Sequence, residues 1–398
     1  MSATPVVEAD KTAKAPNGTR NDAIAAWRKR ISDFAHAHRS WTILISMAIG
    51  SVILYFWAAF PPFSFVQAQN TWISGFVNAG VFILLALGLN IVVGFAGLLD
   101  LGYAAFFAFG AYLYAFGASP FTHLHLPFLL LLVGGAVVAA VFGIALGAPT
   151  LRLRGDYLAI VTLGFGEIVP IVFLNAEKYT QGTNGIGGID RPNIFGYQFP
   201  GIDQTAYYIL MVVVVTIVMI LVYRLLDSRI GRAWAAIRED ELAAAANGIN
   251  TVTTKLAAFA LGATTAGFAG VLNASKLTIV DPTQFQFQVS FVVLSSIVLG
   301  GMGNPLGVAV GAFILYNIQA VLLKQLNAVM ANLHVPILQD IDFVKFQFLL
   351  FGIALVLMMM FRPEGLIPSQ RRRRELHAAG DAEGEEDPLL AAVEDSQA

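Results

Sequence analysis

The feature that most constrains this chain is a succession of apolar runs, most of them long enough to cross a bilayer. A membrane core needs roughly 20 apolar residues per helix, because hydrocarbon offers unpaired backbone groups no partners. Clear runs are Trp41–Phe60, Trp72–Val93, Leu126–Ala148, Tyr157–Leu174, Ala206–Leu226, Leu256–Leu272, Leu306–Leu323 and Phe346–Phe361. Two are weaker. Tyr103–Ala118 is short, and Val289–Gly300 is shorter and runs into Gly-Gly-Met-Gly-Asn-Pro at Gly300–Pro305. The second is either a full span begun at Phe285 or a half-helix that re-enters the membrane. The expected fold is all-α, a polytopic membrane protein with about ten transmembrane helices. Composition agrees: the chain is 57% apolar and 13% charged, about half the charge of an ordinary soluble domain. Its 30 Phe and 37 Gly suit helices packed closely in lipid.

Charge placement sets the orientation. With ten spans and the N-terminus inside, 19 of the 24 basic residues fall on cytoplasmic segments, leaving Lys178, Arg191, Lys276, Lys324 and Lys345 outside. This asymmetry predicts an even number of spans with both ends cytoplasmic, and eight spans would satisfy it as well. Residues 1–40 form a polar, basic cytoplasmic extension. They precede a full-length span and so do not read as a cleaved signal peptide. Residues 41–367 form the transmembrane domain, and the acidic, Ala-rich tail 368–398 reads as disordered. A net charge of −2 gives no case for nucleic-acid binding. The absence of cysteine excludes disulfides, thiolate metal sites and thiol nucleophiles.

An intramembrane carboxylate is a functional hypothesis by default. Glu167 lies midway along Tyr157–Leu174, with Gly164 and Gly166 beside it to permit close backbone approach and Pro170 to invite a kink. It is either a pathway or gate residue or a protonated acid bonded to a neighbouring helix. Asp100 sits among Gly94, Gly97 and Gly102 and interrupts the apolar run from Phe82 to Phe116. The preferred expectation is a tight cytoplasmic turn with Asp100 as N-cap of the next helix, since the topology needs a reversal there. A broken helix at membrane depth is the alternative. Asn90, like Asn78 on the same span, reads first as an interhelical hydrogen-bonding group. With Asp100, Gly164, Gly166 and Glu167 it completes the candidate translocation path. A partial echo links Ile91–Gly97 with Ile297–Gly303, each followed by Leu-Gly and another apolar run. Internal repeats with matching interruptions are a transporter trait. On the outside, the Gly-rich stretch Gln181–Ile189 opens the longest loop, either a docking surface or a flexible cap.

The most informative polar connection spans 227–255. Asp240 suits an N-cap, Glu241 the first turn and Gly248 the position just past the end, which predicts a helix over Glu241–Asn247. Two turns are marginal alone in water and need a dock. Its Ala-rich face, with Ala243 and Ala244, is narrow enough to enter a groove on another protein. Upstream, Ile230, Trp234 and Ile237 share one helical face that can pack under the membrane ends, while Arg238, Glu239, Asp240 and Glu241 form a mixed-charge rim. The segment is either a coupling element driven by a soluble motor or a solvated loop. The chain has no phosphate-binding Gly-x-x-x-x-Gly-Lys motif, no nucleophile–base set and no metal-ligand cluster, and its six His read as solvated. No catalytic residue and no metal ligand is therefore assigned.

Six stretches carry a resemblance: Leu85–Tyr103, Leu151–Ile168, Gly182–Ile186, Ser228–Asn250, Val298–Gly303 and Phe361–Leu366. In these the chain resembles the permease family of bacterial branched-chain amino-acid ABC importers, in particular its M-type subunit. The resemblance implies a multi-pass protein of the bacterial inner membrane. It also implies a second homologous permease, two ATPase subunits that bind ATP and Mg inside, and a periplasmic solute-binding protein outside. The coupling loop then comprises Gly231, Arg232, Ile237, Arg238, Glu239, Asp240, Glu241, Ala243, Ala244 and Gly248. One departure matters: the wider importer pattern places Glu six positions before the Gly, and here that position is Leu242, with Glu241 one residue early. Apolar and small residues along the path suit leucine, isoleucine or valine. A permease for urea or short amides is one alternative, an ion-coupled transporter using Glu167 is another, and a membrane scaffold is a third.

Overall fold

The computed structural model describes residues 39–59, 69–150, 156–194, 196–201, 204–323, 346–362 and 364–368. The expectations for the N-terminal extension up to 38, for the tail from 369, and for Arg152, Arg154, Lys324 and Lys345 lie outside these residues. Every apolar run becomes helical. We label the helices α1 (Arg39–Ala59), α2 (Gln69–Asn90), α3 (Ala104–Gly117), α4 (Phe128–Thr150), α5 (Asp156–Asn175) and α6 (Thr205–Leu226). Then follow α7 (Arg229–Glu239), α8 (Glu241–Ala246), α9 (Thr251–Leu277), α10 (Phe287–Gly300), α11 (Pro305–Asn317) and α12 (Gln347–Phe361). Strands are confined to three antiparallel pairs of two residues each among the described residues.

Length divides these helices. Gln69–Phe95, Phe128–Thr150, Tyr157–Asn175, Thr205–Leu226, Thr251–Leu277 and Pro282–Gly300 are long and apolar enough to cross a membrane. The last extends α10 through the turn Pro282–Phe285, so this weak run has the length of a full span. Ala104–Gly117, Pro305–Ala320, Gln347–Phe361 and the apolar part of α1 (Thr42–Ala58) are shorter. Outward faces of α4 and α6 carry large apolar side chains at helical spacing, Leu130, Val133, Val137 and Val141 on one and Ile209, Val213, Ile217 and Leu221 on the other. Surfaces this apolar are stable against lipid and not against water. The chain is a multi-pass helical membrane protein.

The boundaries follow local chemistry. Asn250 caps α9 by accepting from Thr253 N (3.1 Å), and Asn304 caps α11 by accepting from Leu306 N (3.2 Å), with Pro305 at the first helical position. At the centre, α9 packs on α4, α3 and α2. Small residues let these backbones touch. A side chain at Gly267 would collide with the Gly135 carbonyl and Ala136 Cα of α4, and one at Gly110 of α3 would strike Gly267 itself.

Two of the connections bind together. Gly182–Asn184 forms a tight turn, and Ile186–Gly187 pairs with Ile279–Val280 beyond the end of α9. Ile186 is fully buried. The Gly-rich loop is thus pinned to the α9–α10 connection and is not a loose cap. We call this the loop end of the bundle and the opposite one, which carries α7 and α8, the hairpin end.

Candidate functional site

The site grows from the interruption between α2 and α3. Helix α2 continues into a π-helical turn, Ile91–Phe95, and the chain reverses at Gly97, whose φ of +71° suits glycine. It then returns as an extended segment into the bundle. Gly102 lies against Thr162 O and Gly166 N, halfway along α5, and the Tyr103 hydroxyl donates to Gly262 O (2.6 Å), nearly midway along α9. The reversal expected from the sequence is present, but its returning arm is buried.

Asp100 is therefore not the cap of α3, a correction to the preferred expectation. Tyr103 occupies the N-cap position, and the Ala104 amide donates to Ser290 Oγ on α10 (2.9 Å). Asp100 is 1% exposed and its Oδ1 accepts from Gly102 N (2.9 Å). The physical reason is that an extended segment inside the bundle must find partners for each amide. Leu98 N reaches Val92 O (3.0 Å) and Leu101 N reaches Thr162 Oγ1 (3.0 Å). Asp100 serves the next amide in line. Asp100→Asn keeps an acceptor and is expected to melt in detergent within a few degrees of wild type. Asp100→Ala leaves the Gly102 amide unpaired, at a cost of about 1–3 kcal/mol. Equal melting temperatures for the two variants would remove this role.

A second interruption follows α10 at Gly300–Asn304, with Gly301 (φ +111°) and Gly303 (φ +83°) leading into Pro305. The two echoing segments meet. Asn90 Oδ1 accepts from Gly303 N (3.0 Å), and a side chain at Gly94 would collide with Asn90 Oδ1 and crowd Gly303 N. Asn90 is completely buried. The segment after α12 joins them: Leu366 N donates to Leu299 O (2.9 Å), Ile367 N to Gly300 O (3.0 Å), and Asn304 Nδ2 to Ile367 O (3.1 Å). Three of the six motif stretches read from the sequence thus converge at the hairpin end.

The hairpin α7–α8 packs beside them. Ser228 and Asp240 cap its two helices; Asp240 Oδ1 accepts from Leu242 N (2.8 Å) and Ala243 N (3.0 Å). Gly248 takes φ +83° just past the end of α8, as its position in the sequence requires. Trp234 and Ile237 are buried, while Ile230, on the same face, is 43% exposed. Trp234 Nε1 donates to Thr254 O (2.7 Å) on α9. Arg238 donates to Gly94 O, and its stem fills the space left by the missing side chain of Gly97. Gly231 packs on the last carbonyls of α6 (Leu225 O and Leu226 O), and the Arg232 guanidinium bonds Asp227 O (2.9 Å).

Of the Ala pair in α8, Ala244 is buried and Ala243 faces outward with Leu242, Ala245 and Ala246. Glu239 and Asp240 are exposed. Glu241 has a partner that the sequence did not reveal, Lys255 on the first turns of α9 (2.5 Å), whose side chain is largely covered. A second lysine was also missed. Lys276 near the end of α9 donates to Ser74 O (3.0 Å), Ser74 Oγ (3.1 Å) and Asn78 Oδ1 (2.5 Å) on α2. Asn78 thus bonds between helices as read from the sequence, and the unforeseen part was its partner, Lys276, just past the apolar run Leu256–Leu272. At the loop end His125 Nδ1 meets Asp190 Oδ2 (2.5 Å) beside a cleft of about 830 Å³.

Glu167 is exposed on α5 and forms no hydrogen bond or ion pair with a described residue. It shares its face with Tyr157, Ile160, Ile168, Ile171 and Val172, all more than half exposed. A side chain at Gly164 on this face would meet no described residue, whereas one at Gly166 would crowd Gly102 Cα (2.9 Å). Among the five path residues, Asn90, Asp100 and Gly166 border the buried interruption, and Gly164 and Glu167 look away from the described residues. No group of His, Asp and Glu among the described residues could hold a metal ion.

Interrupted helices gathered at one end of an apolar bundle, with a capped hairpin fastened to them, define a polytopic membrane protein of the transporter type. Comparison with known proteins makes the class specific. Residues 71–360 match the family model described as branched-chain amino acid transport system / permease component. The chain belongs to this family. It is 39% identical over 328 residues to the high-affinity branched-chain amino acid transport system permease protein LivM of Salmonella typhimurium, covering 77% of this chain and 72% of that protein. The LivM protein of Escherichia coli gives the same figures. The Escherichia coli LivH permease is 25% identical over 264 residues, covering 63% of this chain and 84% of LivH. No solved structure matches.

Proposed function

We propose that this chain is the M-type membrane subunit of an ATP-driven importer for branched-chain amino acids in the bacterial inner membrane, and that it catalyses no reaction itself. ATP and Mg bind to two partner ATPase subunits, and the docking element for one of them is α8, offering Leu242, Ala243, Ala245 and Ala246. The observation that carries the reading is this two-turn helix, fixed by its Asp240 cap and by Lys255, with an apolar face that no described residue covers. A helix so short persists in water only when held. Likeness to LivM supports the substrate class.

A second, homologous permease meets the outward face of α5. An ionisable side chain halfway along a lipid-facing helix would be expensive. Glu167 on that face is accommodated by a facing subunit or by the pathway between the two, and the notch at Gly164 lets a partner helix approach. Glu167→Gln is expected to lower uptake at least five-fold while the two permeases still copurify. Full activity across pH would reduce Glu167 to packing. At the loop end, the pinned Gly-rich turn and the adjoining cleft form the docking face for a periplasmic solute-binding protein.

Reconstitution tests the whole reading. Liposomes holding this chain, the second permease, both ATPase subunits and the binding protein are expected to accumulate leucine, isoleucine or valine only with ATP. Uptake by this chain alone after a pH step would instead establish an ion-coupled transporter. Binding of urea or a short amide by the cognate binding protein would reassign the substrate.

A further inference from the structure

Arg238 joins two elements that are far apart in sequence. It belongs to the last turn of α7, and its guanidinium donates to the carbonyl of Gly94, 144 positions earlier in the chain. That carbonyl lies in the last turn of the α2 unit, where helical carbonyls lack partners within their own helix and the helix dipole presents partial negative charge. A cation with several fixed donors is suited to that position. The fit is steric as well. Gly97 turns the chain with a positive φ, and a side chain there would come within 2.9 Å of Arg238 Cγ.

What Arg238 grips is itself connected. Gly94 stands against Asn90 Oδ1 and Gly303 N, and Asn90 Oδ1 accepts from Gly303 N at 3.0 Å. One short chain of contacts thus runs from the hairpin through Gly94 and Asn90 into the second interruption. Both interruptions have the conformational latitude that a regular helix lacks. The first has a π-helical turn followed by an extended arm, and the second has two positive-φ glycines within three residues. On the other side the hairpin is tied to rigid α9 through Trp234 and Lys255, so a push on α8 is not absorbed within the hairpin.

We infer that Arg238 is a positioning residue that transmits displacement of the α7–α8 hairpin to both helix interruptions, by way of the Gly94 carbonyl and the Asn90–Gly303 hydrogen bond. This rests on the importer reading above and adds the route by which the docked hairpin reaches the path. Spatial continuity alone does not establish coupling, so the test must read coupling itself.

The experiment uses the complete transporter in lipid nanodiscs. Hydrogen exchange of wild type is compared without nucleotide and trapped with ADP and vanadate. Amides of 91–103 and 300–305 are expected to change protection between the two states. Arg238→Ala is expected to abolish that difference and to lower the amino acid transported per ATP hydrolysed at least five-fold, with the ATPase subunits still copurifying. Arg238→Lys, which keeps a cationic donor, is expected to recover part of both signals. Identical exchange of both segments in the two states of wild type would overturn the inference, whether or not the variants assemble. So would Arg238→Ala with an unchanged transport ratio. Failure of the importer reading looks different: wild type itself would hydrolyse no ATP in response to loaded binding protein.

Discussion

Leu242→Asp is expected to cut ATP-dependent uptake at least 30-fold and to release the ATPase subunit on purification, while the chain inserts and melts as wild type. Leu242 is 71% exposed on the first turn of α8, where the importer pattern would place its glutamate. An exposed leucine beside three outward alanines contributes to a complex by desolvation on docking, and a central contact of this kind is worth about 2 kcal/mol or more, a factor of roughly 30. An aspartate there keeps a charge in water against an apolar groove. The substitution should spare the hairpin itself, because acidic residues are favourable in the first turn of a helix. Ala244→Glu is the alternative that the sequence offers, yet Ala244 is 3% exposed and a glutamate there would break the hairpin from within. Wild-type uptake by Leu242→Asp would show that the ATPase docks elsewhere.

The choice between Leu242 and Ala244 illustrates what the sequence could express. Caps, helix limits and the glycine past α8 are set by residues within a few positions of one another, so Ser228, Asp240 and Gly248 were legible. The ten apolar runs were legible for the same reason. Which alanine faces outward depends on how α8 rolls against α9, and that roll is fixed by the ion pair between Glu241 and Lys255, 14 residues apart. Asp100 failed similarly. Its local surroundings fit a helix cap, but Thr162 and Ser290 supply amide partners from distant helices and leave Asp100 to the Gly102 amide. Glu167 was recognisable as unusual from its apolar neighbours alone. That it faces away from the described bundle follows from the packing of Gly166 on Gly102, which fixes the rotation of α5.

Gly267→Leu is expected to have the largest effect on the fold, lowering membrane-inserted protein at least ten-fold and leaving the remainder unstable in mild detergent. Gly267 is where α9 touches two helices at once. The space a side chain would need holds the Gly135 carbonyl and the Ala136 Cα, and the backbone of Gly267 in turn closes the space beside Gly110. Inserting a side chain into a packed interior costs about 1–3 kcal/mol where neighbours are flexible. Here the obstacles are backbone atoms of a helix that cannot yield without tilting. In lipid, helices gain little hydrophobic energy by associating, so a lost close approach is not recovered by burying leucine elsewhere. Gly164→Leu is the matched control, since a side chain at that position meets no atom of the described residues. The isolated subunit should tolerate it with an unchanged melting temperature, and only pairing with the second permease should suffer. If Gly164→Leu unfolded the isolated chain as badly as Gly267→Leu, the outward face of α5 would be an internal seam, and the second permease would have to bind elsewhere.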